Sequence, residues 1–398
     1  MKVLMFGWEF PPYISGGLGN ACYLLTKGLA KEGISITFVI PYAGEEKAEF
    51  VNLIGVENIK EFKVKVVNSI IEPYMSNKEY KNKLSKIKNK SLYGNDLYHE
   101  VYRFSLAALE IANKEDFDII HCHDWMTYPA GINVKHLTGK PLVMHIHNTV
   151  FDRNSLSPNK YEYDIEKSGF LKSDKIIAIS KRVKDSLVNE YKINEDKISV
   201  VYWGLDNEKV NEEREKKLMK EKVVLFVGRI TMQKGVDYLL QAAKKALDFE
   251  KNIRFIVVGS GDMLPQIINK TIELGLSEKI NFTGWFNPKE VFKAFQIADL
   301  FIMPSVSEPF GLVALEALKN STPTIISKQS GVSEIINNCL KVDFWDTNDM
   351  ADKIVNTLRY ESLNNELRYN GNLEVEKFTI EKPAKETKEV YIEVLNNG

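Results

Sequence analysis

Short apolar runs alternate along the chain with stretches whose apolar positions recur every three to four residues. V-L-M-F-G (3–7) predicts a buried strand. G-G-L-G follows it. Ala21, Leu24, Leu25 and Leu29 then share one helical face that ends near Gly33. I-S-I-T-F-V-I (34–40) predicts the next strand, stopped by Pro41. Further strands are predicted at 117–123, 141–147, 175–180 and 197–202. The pattern then restarts with V-V-L-F-V-G-R (223–229) and continues at 254–261, 279–284, 299–305 and 323–327, with helical patterns between. Near-continuous apolar strands separated by helices imply parallel sheets covered on both faces.

The restart predicts an α/β chain of two doubly wound, Rossmann-like domains, 1–205 and 206–375, followed by a C-terminal helix (376–398) that crosses back to the first domain. The charged, glycine-free segment 211–222 marks the boundary. The insert 44–100 carries no readable pattern. In such sheets ligands bind outside the carboxyl ends of the strands, so the informative residues should follow the strands.

Composition narrows the classes. The chain has 398 residues, 44% of them apolar, enough for two cores. A formal net charge of −1 argues against nucleic acid as a partner. Cys22, Cys122 and Cys339 share no CxxC spacing, which argues against a disulfide framework and for a reducing compartment. No apolar run approaches the ~20 residues that span a bilayer, and no secretory signal is recognisable. The expected protein is cytoplasmic, with peripheral membrane contact left open. Its six-lysine segment, 77–90, reads first as a solvated surface and second as a patch for an anionic acceptor or membrane.

S-V-S-E-P-F-G-L-V-A-L-E-A-L (305–318) holds two glutamates eight positions apart, Glu308 and Glu316. Pro309 suits a first helical turn, which would place Glu308 at the helix entrance and Glu316 two turns in, roughly 12 Å along the axis. Gly311, Leu312 and Val313 would then present unpaired amides at the positive end of the helix dipole, a phosphate site. In the plainer alternative Glu308 only complements the dipole and Glu316 faces water. G-R-I-T-M-Q-K-G (228–235) follows a strand, and Arg229 with Lys234 can hold a diphosphate, or stand as two solvated cations. I-S-G-G-L-G-N (14–20) is a glycine-rich turn, neither GxGxxG nor a P-loop. H-C-H-D-W (121–125) and H-I-H-N (145–148) place four of the six histidines in two HxH pairs at strand ends. Period two puts each pair on one face and Cys122 on the other. Hydrogen bonding to sugar or phosphate is favoured over a zinc site or a buried structural pair.

Together these motifs resemble the retaining glycosyltransferases with two facing Rossmann-like domains, the glycogen and starch synthases and their broad relatives. S-x-x-E-P-F-G-L-x-x-L-E-A-L matches their E-x7-E element and G-R-I-T-x-Q-K-G their phosphate-binding Arg–Lys element. H-C-H-D-W, H-I-H-N, V-G-S-G and G-W-E-F-P-P-Y-I-S-G-G-L-G match in order over nearly the whole chain. The resemblance implies that Gly16, Gly17 and Leu18 face the donor diphosphate. It implies that His123 contacts the donor sugar near the reacting carbon, with His147 and Asn148 near the sugar or acceptor. Arg229 and Lys234 would neutralise the leaving diphosphate, Glu308 would hold the sugar, Gly311 to Val313 would present amides, and Glu316 would hold the ribose.

The implied reaction moves a hexose, glucose by expectation, from UDP- or ADP-glucose to a glycan, with retained configuration, no metal and no cofactor. Exclusion of water by domain closure is expected of such chemistry. Glycogen-synthase-like α-glucan elongation is the leading expectation, and a lipid-linked or cell-envelope saccharide is the alternative acceptor. Ile14 stands where bacterial glycogen synthases carry a donor-phosphate lysine, a departure that points away from an ADP-glucose-specific enzyme of that type. A nucleotide-dependent oxidoreductase would leave the Arg–Lys and double-glutamate elements without a task. A non-catalytic nucleotide-sugar binder would not need polar residues at every expected site.

Overall fold

A computed structural model describes residues 1–10, 17–40, 62–66, 69, 76–87, 95–153, 157–206, 217 and 219–396. Gly16 and Ile14 lie outside the described residues, as do Lys88 and Lys90 and most of segment 211–222. The chain forms two compact units, Met1–Asp206 with Thr379–Gly398, and Asn207–Phe378.

The first unit runs β1 (Lys2–Phe6), α1 (Gly17–Lys31), β2 (Ser35–Ile40), β3 (Phe62–Val66), α2 (Asn77–Ser85), α3 (Leu97–Ala112), β4 (Ile119–His123), α4 (Tyr128–Thr138), β5 (Leu142–Ile146), α5 (Val150–Arg153), α6 (Lys160–Lys172), β6 (Lys175–Ala178), α7 (Lys181–Asn189) and β7 (Ile198–Val200). Among the described residues its strands form one parallel sheet in the order β3-β2-β1-β4-β5-β6-β7. The order reverses at β1, and β4 lies beside it, so the carboxyl ends of β1 and β4 flank the topological switch point.

The second unit runs β8 (Lys222–Val227), α8 (Val236–Phe249), β9 (Ile253–Val258), α9 (Leu264–Glu273), β10 (Ile280–Gly284), α10 (Pro288–Ile297), β11 (Leu300–Met303), α11 (Leu312–Lys319), β12 (Thr324–Ser327), β13 (Leu340–Val342), α12 (Thr347–Arg359) and α13 (Glu361–Val375). Its parallel sheet has the order β10-β9-β8-β11-β12-β13, with the switch point between β8 and β11.

Helix starts follow local chemistry. Ser76 and Glu79 form a capping box at α2, and Asn287 and Glu290 form another at α10, where Pro288 takes the first position. The predicted strands appear within a few residues of their expected ends. Two further strands, β3 and β13, join the sheet edges. The insert with no readable pattern contains β3, α2 and the start of α3.

The last helix, α14 (Glu381–Asn396), belongs to the first unit. Ala384, Val390, Tyr391 and Val394 join Val3, Met5, Cys22 and Leu25 in its core. Gly28 on α1 allows the approach, since a Cβ there would fall 2.7 Å from the Ile380 carbonyl oxygen. Lys31–Glu381 and Lys175–Glu393 ion pairs frame the contact.

Candidate functional site

Within the first unit, the carboxyl ends of β4 and β5 carry the histidines. All four rings are buried and stack in two rows, His121 on His123 at 4.4 Å between centroids and His145 on His147 at 4.2 Å. Hydrogen bonds cross between the strands, His123 Nδ1 to His147 Nε2 at 2.8 Å and His121 Nε2 to His145 Nδ1 at 3.2 Å. The deeper cross-strand pair, His121 and His145, ends on Tyr391 of α14, whose hydroxyl lies 2.5 Å from His121 Nδ1. Burial holds the imidazoles neutral: His123 is pushed down to about 3, and the other three also fall well below their ordinary value.

Cys122 faces the other side of the sheet, where its sulfur would lie 2.3 Å from a Cβ on Gly131 of α4. Gly17 and Leu18 open α1, and a Cβ on Gly17 would meet nothing within 4 Å. Leu18 is buried.

Asp124 is a residue the sequence did not single out. It takes φ 60°, strained for a side chain other than glycine, directly after β4. Its buried carboxyl accepts the His147 amide at 2.7 Å and so fixes the first residue after β5. Burial lifts Asp124 to about 7, against the His147 amide and the Arg153 charge that favour ionisation. Arg153 in turn donates to the Asn148 carbonyl at 2.6 Å and pairs with Glu162 and Glu166 at 2.8 Å each. The signal in the sequence is the H-D-W triplet, but its contact forms only across two strands.

Within the second unit, Arg229 follows β8 in a loop laced to the loop after β9. Ile230 donates its N–H to the Ser260 carbonyl, and Met263 donates to the Ile230 carbonyl. Gly235, at φ 65°, brings the same loop against β11, where a Cβ would fall 2.2 Å from the Pro304 carbonyl. Val306 donates its N–H to the Gln233 carbonyl across this contact. The result brings Lys234 Nζ to 2.6 Å from Glu308 Oε2, with Ser305 Oγ donating to the same oxygen at 3.1 Å. Both ends of the Glu308 peptide are fixed, since its amide donates to Gln329 and its carbonyl accepts from Gly331. Of Lys234 and Glu308, only small fractions of the side chains remain exposed, 20% and 9%.

One expectation is corrected here. Pro309 does not open the helix. α11 begins at Leu312, with Gly311 at φ 107° as its cap, and Glu316 sits one turn in. The preceding residues are committed elsewhere, because the Phe310 carbonyl accepts from Val332 just as Glu308 accepts from Gly331. Glu308 therefore lies before the helix, at an isolated β-bridge to Ser330. Leu312 and Val313 lie in the first turn, where N–H groups lack intrahelical partners. Burial lifts the carboxyl of half-buried Glu316 to about 7, with Lys319 opposing. Among the described residues no helix is long and apolar enough to cross a membrane.

Two family models match the chain. Residues 2–198 match the starch synthase catalytic domain, and residues 207–373 match glycosyl transferases group 1. An uncharacterised glycosyltransferase of Methanocaldococcus jannaschii is 32% identical over 350 residues, covering 84% of this chain and 83% of its own. A glycogen synthase of Mycobacterium tuberculosis is 24% identical, covering 85% and 80%. The structure of Anabaena HepE in complex with UDP and glucose superposes with a TM-score of 0.72 at 17% identity, covering 99% and 100% of the two chains. At that identity the superposition speaks for the fold alone.

Proposed function

The chain belongs to the glycosyltransferases of the two-Rossmann-domain (GT-B) type, and from that premise we propose that it transfers a hexose, glucose, from a nucleotide sugar to a glycan with retained anomeric configuration. The observation that carries this reading is the largely buried Lys234–Glu308 pair beside the N-terminus of α11. Breaking a sugar–phosphate bond develops negative charge on the diphosphate and positive charge on the sugar. A fixed lysine with Arg229 and first-turn amides favours the first, and a fixed carboxylate favours the second. In this reading Lys234 and Arg229 hold the diphosphate, Glu308 holds the sugar, and Gly311 to Val313 present N–H groups. Glu316 accepts from the ribose hydroxyls.

Neutral His123 donates to the donor sugar near its reacting carbon, and His147 and Asn148 contact the sugar or the acceptor. The acceptor hydroxyl attacks the face the diphosphate leaves. The departing phosphate oxygen takes its proton, so the new bond keeps the old configuration. No step of this reaction calls for a metal or a cofactor. UDP-glucose is the donor in this reading, and the M. tuberculosis glycogen synthase favours an α-glucan acceptor.

A second acceptor class is favoured by one observation. On α2, Lys78 and Lys81 are exposed, as is Lys86 just past its end, a cationic surface suited to a lipid-linked or cell-envelope saccharide. The test is nucleotide release from UDP-, ADP- and GDP-sugars, each with glycogen, maltooligosaccharide or no acceptor. Glucan-stimulated release from UDP-glucose is the expected result. Release indifferent to glucans would move the acceptor to the lipid-linked class, and no release from any donor would overturn the transferase reading.

A further inference from the structure

Cys22 has no part in sugar transfer as described, yet α1 sets it beside the cross-strand pair His123 and His147. One ligand atom from each of Cys22, His123 and His147 lies within 4.8 Å of the other two, and all three residues are buried. We propose that Cys22, His123 and His147 form a binding site for a thiophilic cation such as Zn2+, and that the bound metal inhibits the enzyme by shifting the His123 ring, and with it the outer N–H, from its place at the donor sugar. The inhibition rests on the proposed contact of His123 with that sugar. The binding does not.

A thiolate and two imidazoles select Zn2+ over Mg2+ or Ca2+. Bond lengths of ~2.0–2.3 Å in a tetrahedron separate ligand atoms by roughly 3.3–3.6 Å. The facing nitrogens, His123 Nδ1 and His147 Nε2, are 2.8 Å apart, so the rings need to part by about half an ångström to admit the metal. The protons balance. Two neutral imidazoles carry two N–H groups, one of them shared between the facing nitrogens. The metal takes that position. The displaced proton moves to the outer nitrogen of the ring that lacked one, leaving His123 Nε2 and His147 Nδ1 both protonated. Those outer atoms are buried and without partners, so neither is tied to another group.

The thiol supplies the second change, releasing one proton to solvent as the sulfur–metal bond forms. Burial holds the Cys22 thiol well above its ordinary value, and the Glu9 and Asp124 charges hold it higher. With one thiolate the bound site carries a single net positive charge, which the carboxylates of Glu9 and Asp124 offset. The overlapping group His121, His123 and His145 offers no anion, and its His121 is tied to Tyr391.

The test titrates the metal-free, full-length protein with Co2+ under anaerobic conditions. The expected result is a thiolate-to-cobalt charge-transfer band saturating at one equivalent, abolished by added Zn2+ and absent from Cys22→Ser. Cys122 and Cys339 remain in that variant, so the loss reports Cys22 alone. Zn2+ should compete with the nucleotide sugar in turnover, and about tenfold more weakly or worse in Cys22→Ser. A wild-type spectrum without the band overturns the proposal, whatever the variant does, and so does an unchanged band in Cys22→Ser. A cobalt band in a protein that turns over no donor would count against the transferase reading and leave the metal site standing.

Discussion

Replacing Gly261 by alanine tests how the second unit aims Arg229. A Cβ at this position would lie 2.2 Å from the Ile230 carbonyl oxygen, 2.6 Å from its carbon and 2.7 Å from its nitrogen. All three are backbone atoms, so no rotamer change relieves the clash, and the two loops must part by about 1 Å. Ile230 is held there by two backbone hydrogen bonds, to Ser260 at 2.9 Å and from Met263 at 3.1 Å. Losing both costs about 0.5–1.5 kcal/mol each, and the overpacking adds about 1–3 kcal/mol. The sum is about 2–6 kcal/mol. At roughly 2–4 °C per kcal/mol for a unit of this size, the melting transition of the second unit should fall by about 4–24 °C. Arg229 is the neighbour of Ile230, so a shift of about 1 Å should also lower kcat/KM for the donor about 100-fold. Thermal denaturation by circular dichroism and steady-state nucleotide release read the two effects separately. A variant that melts within about 1 °C of wild type and turns over within about twofold would refute the reasoning.

Lys234→Ala should leave Glu308 as an unpaired, nearly buried charge, and Glu308→Gln should weaken the hold on both lysine and sugar. Each should cut turnover by at least about 100-fold, measured as nucleotide release, and unchanged turnover in either would remove that residue from the mechanism. Glu316 is lifted to about 7, so it becomes protonated as pH falls through 7 and then accepts fewer hydrogen bonds from ribose. The donor KM of wild type should rise as pH falls from 8 to 6, while Glu316→Gln should show a high, flat KM; parallel profiles would rule out the ribose contact. Removing residues 381–398 strips Val390, Tyr391 and Val394 from the core of the first unit, at about 1.5–3 kcal/mol each, comparable with the whole stability of a domain. The truncated chain should lose the cooperative transition of that unit, and a melt like that of the full chain would show α14 to be dispensable.

The sheets were legible because their central strands are apolar on both faces and bounded by glycine and proline, as in V-V-L-F-V-G-R and P-L-V-M-H-I-H. β3 was not, because F-K-V-K-V alternates with lysine as an edge strand does, inside a polar insert. β13 spans three residues, Leu340–Val342, too few to show a period. The start of α11 was misplaced because Pro309 suits a helical first turn by its own φ. The pairing of Glu308 and Phe310 with Gly331 and Val332 is a tertiary fact with no trace in the neighbouring residues. The same holds at the candidate site. Lys234 and Glu308 stand 74 positions apart, and each could be read as a cation or anion in its own loop; only adjacency of β8 and β11 makes them a pair. Asp124 and Cys22 escaped for the same reason. Their partners are supplied by β5 and by the packing of α1, which no local spacing encodes.

The most direct measurement follows an α-linked nucleotide glucose by proton NMR as the enzyme consumes it in the presence of a chelator. Retaining transfer driven by Lys234, Arg229 and Glu308 predicts that the glucosyl product first appears in the α configuration, at a rate the chelator does not change. A product that first appears as the β anomer, or consumption that stops without added metal, would contradict it.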